Sequence, residues 1–432
     1  MKKLIIGLII LLSAGAICSM VPRPEPRPLT IAICADSYWG VPDGDATAVW
    51  EEGLEEFRQK YPHCKVKMLT GIQKEDYREW LSEQLLSGTE PDVFLIPTRS
   101  LNTYASIGAI LPLNELMDAD SGFGTDIYYP GSIAACQIED VYYGLPLESV
   151  PTLMFVNKTL LAEKNIPLPA PDWSWQDFYN ICQQVTGDSN GDGRPDNFGC
   201  YGYTWLQAAL DNGVVLFTDN GRKGHFEGQQ LEESINFIRE LQELSHGYVP
   251  TARDFDLGHI AFRPFSFAEY RTYRPYPWRV RKYSSFDWDI VPFPAGPYGK
   301  SLSNVETMVM GISARTKSPY IAWELLKTLS TSPEIQRSIL TRSQGLPVRQ
   351  DILTDPVCQE IFQSGMGAEN QNLTLPAIHT IMLEAVPQPS FPKSQEALDK
   401  ANNFIRLLIR DGRPLNNSLN QLQREINSLL PE

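Results

Sequence analysis

From Leu29 onward the chain alternates short apolar runs with longer stretches in which apolar residues recur every three or four positions. "LTIAICAD" is strand-like, and "VWEEGLEEFRQKY" then places Val49, Trp50, Leu54, Phe57 and Tyr61 on one helical stripe. "KVKML" alternates as a second strand. "EDYREWLSEQLLSG" repeats the stripe with Tyr77, Trp80, Leu81 and Leu85 and stops at Gly88, before "PDVFLIP" reads as a buried strand. After residue 150 the pattern resumes with "TLMFVNK", helices over Trp175–Val185 and Leu231–Leu244, and the strand "MVMGIS". "SPYIAWELLKTL" opens a helix with Ser318 as cap and Pro319 at its first position. A last helix carries Ala397, Leu398, Ala401, Phe404, Ile405 and Leu408 at core spacing. Strands alternating with helices predict an α/β chain with a parallel sheet and helices on its faces.

The first residues break this pattern. Lys2 and Lys3 precede an apolar core from Leu4 to Leu12, too short to span a bilayer comfortably, and Ala14-Gly15-Ala16 supplies small residues for a peptidase. Cys18 follows, which predicts a lipoprotein signal over 1–18 whose cysteine is acylated; cleavage after Ala16 is the alternative, because Ile17 is bulky for a residue before that cysteine. Residues 19–28, containing "PRPEPRP", read as a stiff tether. The protein is thus expected outside the cytoplasm, on the outer face of the membrane or in the periplasm.

Composition narrows the functions. With 52 acidic against 37 basic residues the 432-residue chain carries −15, so a polyanion meets net repulsion and nucleic acid is excluded as a partner. The six cysteines after Cys18 (Cys34, Cys64, Cys136, Cys182, Cys200, Cys358) form no Cys-x-x-Cys pair, and five scattered histidines have no metal spacing. No nucleophile elbow, phosphate-binding loop or dinucleotide fingerprint occurs. Glu148 and Glu306, both near inferred strand ends, are the one carboxylate pair that suggests a glycan hydrolase, and their separation would decide it. One loop suggests calcium: "DSNGDGRPD" spaces Asp188, Asn190, Asp192 and Asp196 like the start of an EF-hand, with Gly193 at the turn and the Arg194 carbonyl as a further donor. Gly199 stands where the closing glutamate would be, so an Asx-rich turn is the competing reading, and a structural calcium would only stiffen the loop.

"ESVPTLMFVNKTLL", "DWSWQDFYNICQQVT", "GYTWLQAALDNG", "HIAFRPFSFAEYRTY" and "GISARTKSPYIAWELLKTLSTSPEIQ" together resemble the extracellular solute-binding proteins of ABC sugar importers, the family that includes the maltodextrin-binding protein. The resemblance runs from about residue 29 to the end. It implies two interleaved α/β lobes of the type II periplasmic-binding class, hinged around a ligand cleft. Lobe one would take 29–148 and 293–346, and lobe two 149–292 and 347–432, with crossings at Leu147–Thr152, Pro292–Pro294 and Gly345–Val348. It also implies a monomeric, non-enzymatic receptor that needs no cofactor and delivers a carbohydrate to membrane permease subunits. A sensor subunit and a secreted hydrolase are the competing classes.

Sugar sites pair ring faces with planar hydrogen-bonding groups. The stretch from Phe265 to Tyr283 has that mixture, and the segment after the "AF" strand lines the cleft in the family, which nominates Phe267, Glu269, Tyr270 and Arg271, then Tyr273 and Tyr276. "ADSYWG" follows the first strand, where ligand loops of open α/β sheets gather, and nominates Asp36, Trp39 and Tyr38. "YTWLQ" matches a family cleft segment and nominates Tyr203 and Trp205, whereas Trp175, opening a helix, reads as a packing anchor. Glu148 lies at the first crossing, Glu306 just before a strand and Gln344 near the third crossing. The abundance of arginine keeps acidic sugars in view beside neutral ones.

Overall fold

The computed structural model describes residues 27–35, 37–41, 45–97, 99–273, 286–364 and 372–431. The leader with Cys18, nearly all of the tether, Asp36 and Tyr276 lie outside the described residues.

Ten strands form one sheet: β1 (Leu29–Cys34), β2 (Val66–Ile72), β3 (Val93–Ile96), β4 (Leu145–Asn157), β5 (Phe198–Cys200), β6 (Ile260–Ser266), β7 (Trp288–Val291), β8 (Asn304–Ile312), β9 (Leu346–Pro347) and β10 (Val386–Pro387). The main path runs β2-β1-β3-β8-β4-β6-β5, with β7 and β9 on β4 and β10 on β8. Strands β1 to β3 pair in parallel and α1 (Ala46–Lys60) and α2 (Lys74–Ser87) follow β1 and β2, the βαβ order that the apolar pattern predicts. Gly88 ends α2 in the left-handed conformation at φ 71°, the C-terminal stop that glycine provides without a Cβ clash.

The element that makes two lobes from one sheet is β4. Its near-continuous apolar run, "LPLESVPTLMFVN", is buried at every position but Thr152. From Leu145 to Pro151 it pairs with β8, from Thr152 to Val156 with β6, and from Met154 to Asn157 with β7. The same strand therefore belongs to one lobe in its first half and to the other in its second. The register with β8 slips between Met308 and Val309, beside Pro146, which has no N–H to offer the ladder. β9 joins the same junction by pairing Leu346 with Ser149 and Pro347 with Glu148.

The second connection differs from the expected one. Residues 292 to 302 stay on the second lobe: the Trp173 indole donates to Pro292 O at 2.8 Å, Ala295 N to Trp173 O at 3.0 Å and Gly296 N to Asp211 O at 3.0 Å. The approach is close enough that a Cβ on Gly299 would lie 2.2 Å from Asp211 O. The chain crosses at Ser303, whose hydroxyl donates to Thr152 O at 2.8 Å, rather than at Pro292–Pro294.

Three apolar clusters follow from this layout. One joins β1, β3, α1 and a later helix that includes Trp323. A second is built in lobe two on α3 (Trp175–Val185), α4 (Trp205–Asp211), α5 (Gln229–Glu243) and the C-terminal helices. The third sits at the junction, joining Val150, Phe155, Phe267, Tyr270 and Leu346 to the helices between residues 350 and 384. Among the described residues no helix is long and apolar enough to cross a membrane.

Candidate functional site

A groove of about 720 Å³ opens beside the junction, lined by Tyr38, Arg99, Asn102, Glu306, Thr307, Gln388, Ser390 and Gln395. Its walls follow from the topology. Tyr38 lies after β1, and Arg99 and Asn102 lie after β3, at the carboxyl ends of parallel strands where loops are free to reach over the sheet edge. Glu306 and Thr307 lie on β8, and Gln388 and Ser390 come from the proline-rich strap that follows β10.

The polar groups there are held in place. Arg99 Nη2 donates to Gln388 Oε1 at 3.1 Å, and Asn102 Nδ2 donates to Ser390 Oγ at 2.7 Å. Asn102 Oδ1, closed off from solvent, accepts no hydrogen bond, so an acceptor is left waiting for a donor. Arg99 holds φ at 68°, an unusual conformation for a residue with a side chain, and the strap ends at Lys393 with φ 66°. Tyr38 is anchored by its hydroxyl, which donates to Ile96 O at 3.3 Å, while the Lys74 ammonium lies 5.6 Å from its ring centre. Glu306 is exposed and opposite Val150 in the β8–β4 register. Of the expected ligand residues, Tyr38 and Glu306 line this groove.

Trp39 and Glu148 form a different unit, a clasp at the junction. Trp39 Nε1 donates to Glu148 Oε1 at 2.9 Å, and the Ser343 hydroxyl donates to Glu148 Oε2. A Cβ at Gly345 would lie 2.8 Å from Glu148 Oε2 and 3.0 Å from Trp39 Nε1, so only glycine fits there without displacement. Gln344 is buried beside them. Glu148 is only 4% exposed and receives two donors, a bonding state suited to a structural carboxylate rather than to the partner Glu306 would need for hydrolysis.

The aromatic nominees of lobe two are placed in its core. Tyr203 accepts from Trp175 Nε1 at 3.0 Å and donates to Asp211 Oδ2 at 2.8 Å; Asp211 Oδ1 accepts from Gln207 Nε2 at 3.0 Å and from Leu302 N at 3.3 Å. Burial pushes the Asp211 carboxyl well above the usual carboxylate range, against the pull of those donors, and burial beside Asp211 likewise raises the Tyr203 phenol. Trp205 is 3% exposed and its indole N–H donates to Asn402 Oδ1 at 3.1 Å. Trp175 stacks on Phe237 with ring centres 4.3 Å apart, a packing anchor.

The stretch after β6 is also turned inward. Phe267 and Tyr270, on α6 (Phe267–Tyr273), are fully buried, and Arg271 donates to Leu340 O at 2.7 Å with its guanidinium 5.1 Å from the Phe267 ring centre. In β6 itself, the Arg263 guanidinium lies 3.8 Å from the Phe265 ring centre. Glu269 accepts from Ser266 N at 2.9 Å while its own N–H donates to Ser266 Oγ at 3.2 Å, closing the helix start. Tyr273 is the last residue of α6.

The calcium-like loop spends its oxygens on itself. Asp188 accepts from Gly191 N and Gly193 N, each at 2.6 Å; Asn190 accepts from Asp192 N at 2.8 Å and Asp192 from Arg194 N at 2.9 Å. Asp196 takes Ser189 N at 2.9 Å and Ser189 Oγ at 2.7 Å. Gly191 and Gly193, at φ 78° and 85°, supply the turns. These are Asx turns, and among the described residues no group of three His, Cys, Asp or Glu side chains is placed to hold a metal.

The residues missed from sequence were Arg99, Asn102, Gln388, Ser390 and Gln395. The rule that nominated the loop after β1 applied equally to "PTRSLN" after β3. The strap "VPQPS" carries no comparable signal, because its role depends on pairing with β8 from far along the chain.

The two-lobe α/β architecture and the groove at its junction define a ligand-binding protein of the hinged extracellular type. The chain belongs to the family of bacterial extracellular solute-binding proteins, which it matches over residues 53–362. It is 25% identical over 338 residues, 73% of this chain and 67% of the other, to a Streptomyces antibioticus protein described as "Uncharacterized lipoprotein in oleD 5'region". Its fold is similar to that of the sugar-binding protein MalE from Xanthomonas citri, with TM-score 0.73, 16% identity and coverage of 93% of this chain and 97% of that one. It is also similar to the cyclic alpha-maltosyl-1,6-maltose binding protein from Arthrobacter globiformis, with TM-score 0.76, 14% identity and coverage of 94% and 99%.

Proposed function

We propose that this chain is the capture subunit of an ABC importer, which binds a sugar or oligosaccharide between its lobes and presents it to membrane permease subunits. The observation that carries the reading is the set of hydrogen-bonding side chains Arg99, Glu306, Thr307 and Gln388 that line a groove beside the strand shared by both lobes. A polyol hydroxyl donates to the exposed Glu306 carboxylate and accepts from the Arg99 guanidinium, which a hydrocarbon ligand cannot do. Closure about β4 then removes the ligand from water, and the closed form is what a permease distinguishes. Membership of the family and the sugar-binding neighbours of like fold support the same reading.

The groove favours a neutral sugar. Of the arginines in the 265–283 stretch that bring acidic sugars into view, Arg271 is engaged with a ring and backbone, Arg274, Arg279 and Arg281 lie outside the described residues, and Arg99 shares the groove with Glu306. Binding without chemistry fits the engagement of Glu148. The Lys2–Ala16 leader, Cys18 and the lipoprotein description of the Streptomyces relative support a lipid anchor outside the membrane. The test is a thermal-shift screen of neutral and uronic oligosaccharides, since a ligand that binds only the folded form raises the melting temperature. Stabilisation by neutral sugars without turnover supports the reading; product formation abolished in Glu306→Gln would replace it with a hydrolase.

A further inference from the structure

Beside the polar groove lies a second and larger compartment of about 1610 Å³, and the two share the strap residues Pro387, Gln388, Pro389 and Ser390 as a common wall. The walls of the larger one have a different chemistry. Leu206, Leu210, Val215, Phe217, Leu302 and Phe391 line it, drawn from α4, the loop after it, the crossing at Ser303 and the end of the strap. Val215 is 64% exposed, although a valine facing only water gains nothing from its position. Polar residues stand at the margin, where Glu139, Asp219 and Asn220 hold φ at 53°, 52° and 53°. Phe391 is fixed: a Cβ on Gly221 would lie 2.1 Å from its ring, so the ring lies flat against that glycine.

A free oligosaccharide does not use such a chamber well. The described aromatic groups in the chamber are two phenylalanines, and most of its surface is aliphatic, with Thr218, Asn220 and Asn304 among its few hydrogen-bonding partners, so an all-polar ligand filling it would leave many hydroxyls desolvated and unpaired. A ligand that is polar at one end and apolar at the other satisfies both compartments across the shared strap. We propose that the solute is an amphiphilic glycoside, with its sugar in the groove of Arg99, Asn102 and Glu306 and an apolar aglycone or acyl substituent in the chamber of Leu206, Val215 and Phe391. This inference rests on the sugar reading above and narrows it to one substrate class.

The test is calorimetric titration with matched probes: methyl and n-octyl glycosides of glucose, galactose and maltose, each below its micellar concentration. For the sugar that binds, the octyl member is expected to bind at least about tenfold tighter than the methyl member, the gain that follows when roughly two methylenes leave water. Val215→Asp, an exposed position whose change leaves the fold intact, is expected to abolish that difference while leaving the methyl glycoside's affinity unaltered. Leu206→Gln serves as a second variant with the same expectation. Equal affinities for the methyl and octyl members overturn the amphiphile inference and leave the sugar reading standing. An octyl advantage that survives in both variants places the chain elsewhere and also overturns it. Failure of every methyl glycoside and every octyl glycoside to bind overturns the sugar reading itself, and the inference with it.

Discussion

The aromatic core of lobe two and the polar groove at the junction are built from opposite materials. Trp175, Tyr203, Trp205 and Phe237 are large, nearly sealed and satisfied by one another or by Asp211 and Asn402. Arg99, Asn102, Glu306 and Gln388 are polar, placed on a loop, a short helix, a strand and the strap, and partly unsatisfied. The core holds the lobe together, and the groove is where we propose that the solute sits. Rings that catch the eye in a sequence are therefore poor guides to a sugar site when the lobes still need apolar bulk to fold.

That contrast breaks first on stability. Trp205→Ala should cost about 3 to 5 kcal/mol of folding stability in urea unfolding, the cost of a large cavity in a packed lobe. A mild loss of stability with a large loss of sugar affinity would move Trp205 from core to site. On the other side, Arg99→Ala and Glu306→Gln should each weaken sugar binding by roughly tenfold or more, the value of a hydrogen bond to a charged partner, with the unfolding midpoint unchanged. A shift in midpoint without a change in affinity would reverse the assignment.

The junction lies between these extremes. Gly345→Ala should cost about 1 to 3 kcal/mol, because its methyl group meets Glu148 Oε2 and Trp39 Nε1 in a filled clasp. An unperturbed Trp39 fluorescence and midpoint would mean that the clasp is loose.

Asp211 sharpens the account of the core through pH. Its native carboxyl binds a proton more tightly than the unfolded one, so its contribution is fully present below the ordinary aspartate pKa of about 4 and declines as pH rises toward the raised native value. Asp211→Asn should give a flatter stability profile above about pH 4 than the parent protein. The smallest effect concerns the loop 188–196: chelator should leave the melting temperature unchanged, because its carboxylates already bond the loop's own N–H groups. A chelator-dependent fall would restore calcium to it.

Much of the fold was legible because period and burial coincide. The stripe Val49, Trp50, Leu54, Phe57 is buried along one helix, and "PDVFLIP" became the fully buried β3. The crossing at Ser303 was not, since it depends on Gly296 and Gly299 meeting the backbone of residues 211–213, a contact with no local signature. The groove was half legible. Tyr38 follows a recognisable strand end and Glu306 a recognisable strand, but a buried Arg271 and an exposed Arg99 look alike in a sequence. What separates them is a carbonyl of Leu340 in one case and a strap residue in the other, both distant along the chain.

The most direct test of the groove is amide hydrogen exchange with and without a bound oligosaccharide. Residues 99–102, 304–307 and 386–395 should gain protection on binding, while 175–185 stays unchanged. Protection confined to 201–205 and 265–273, with the strap unaffected, would contradict the assignment of the groove as the site.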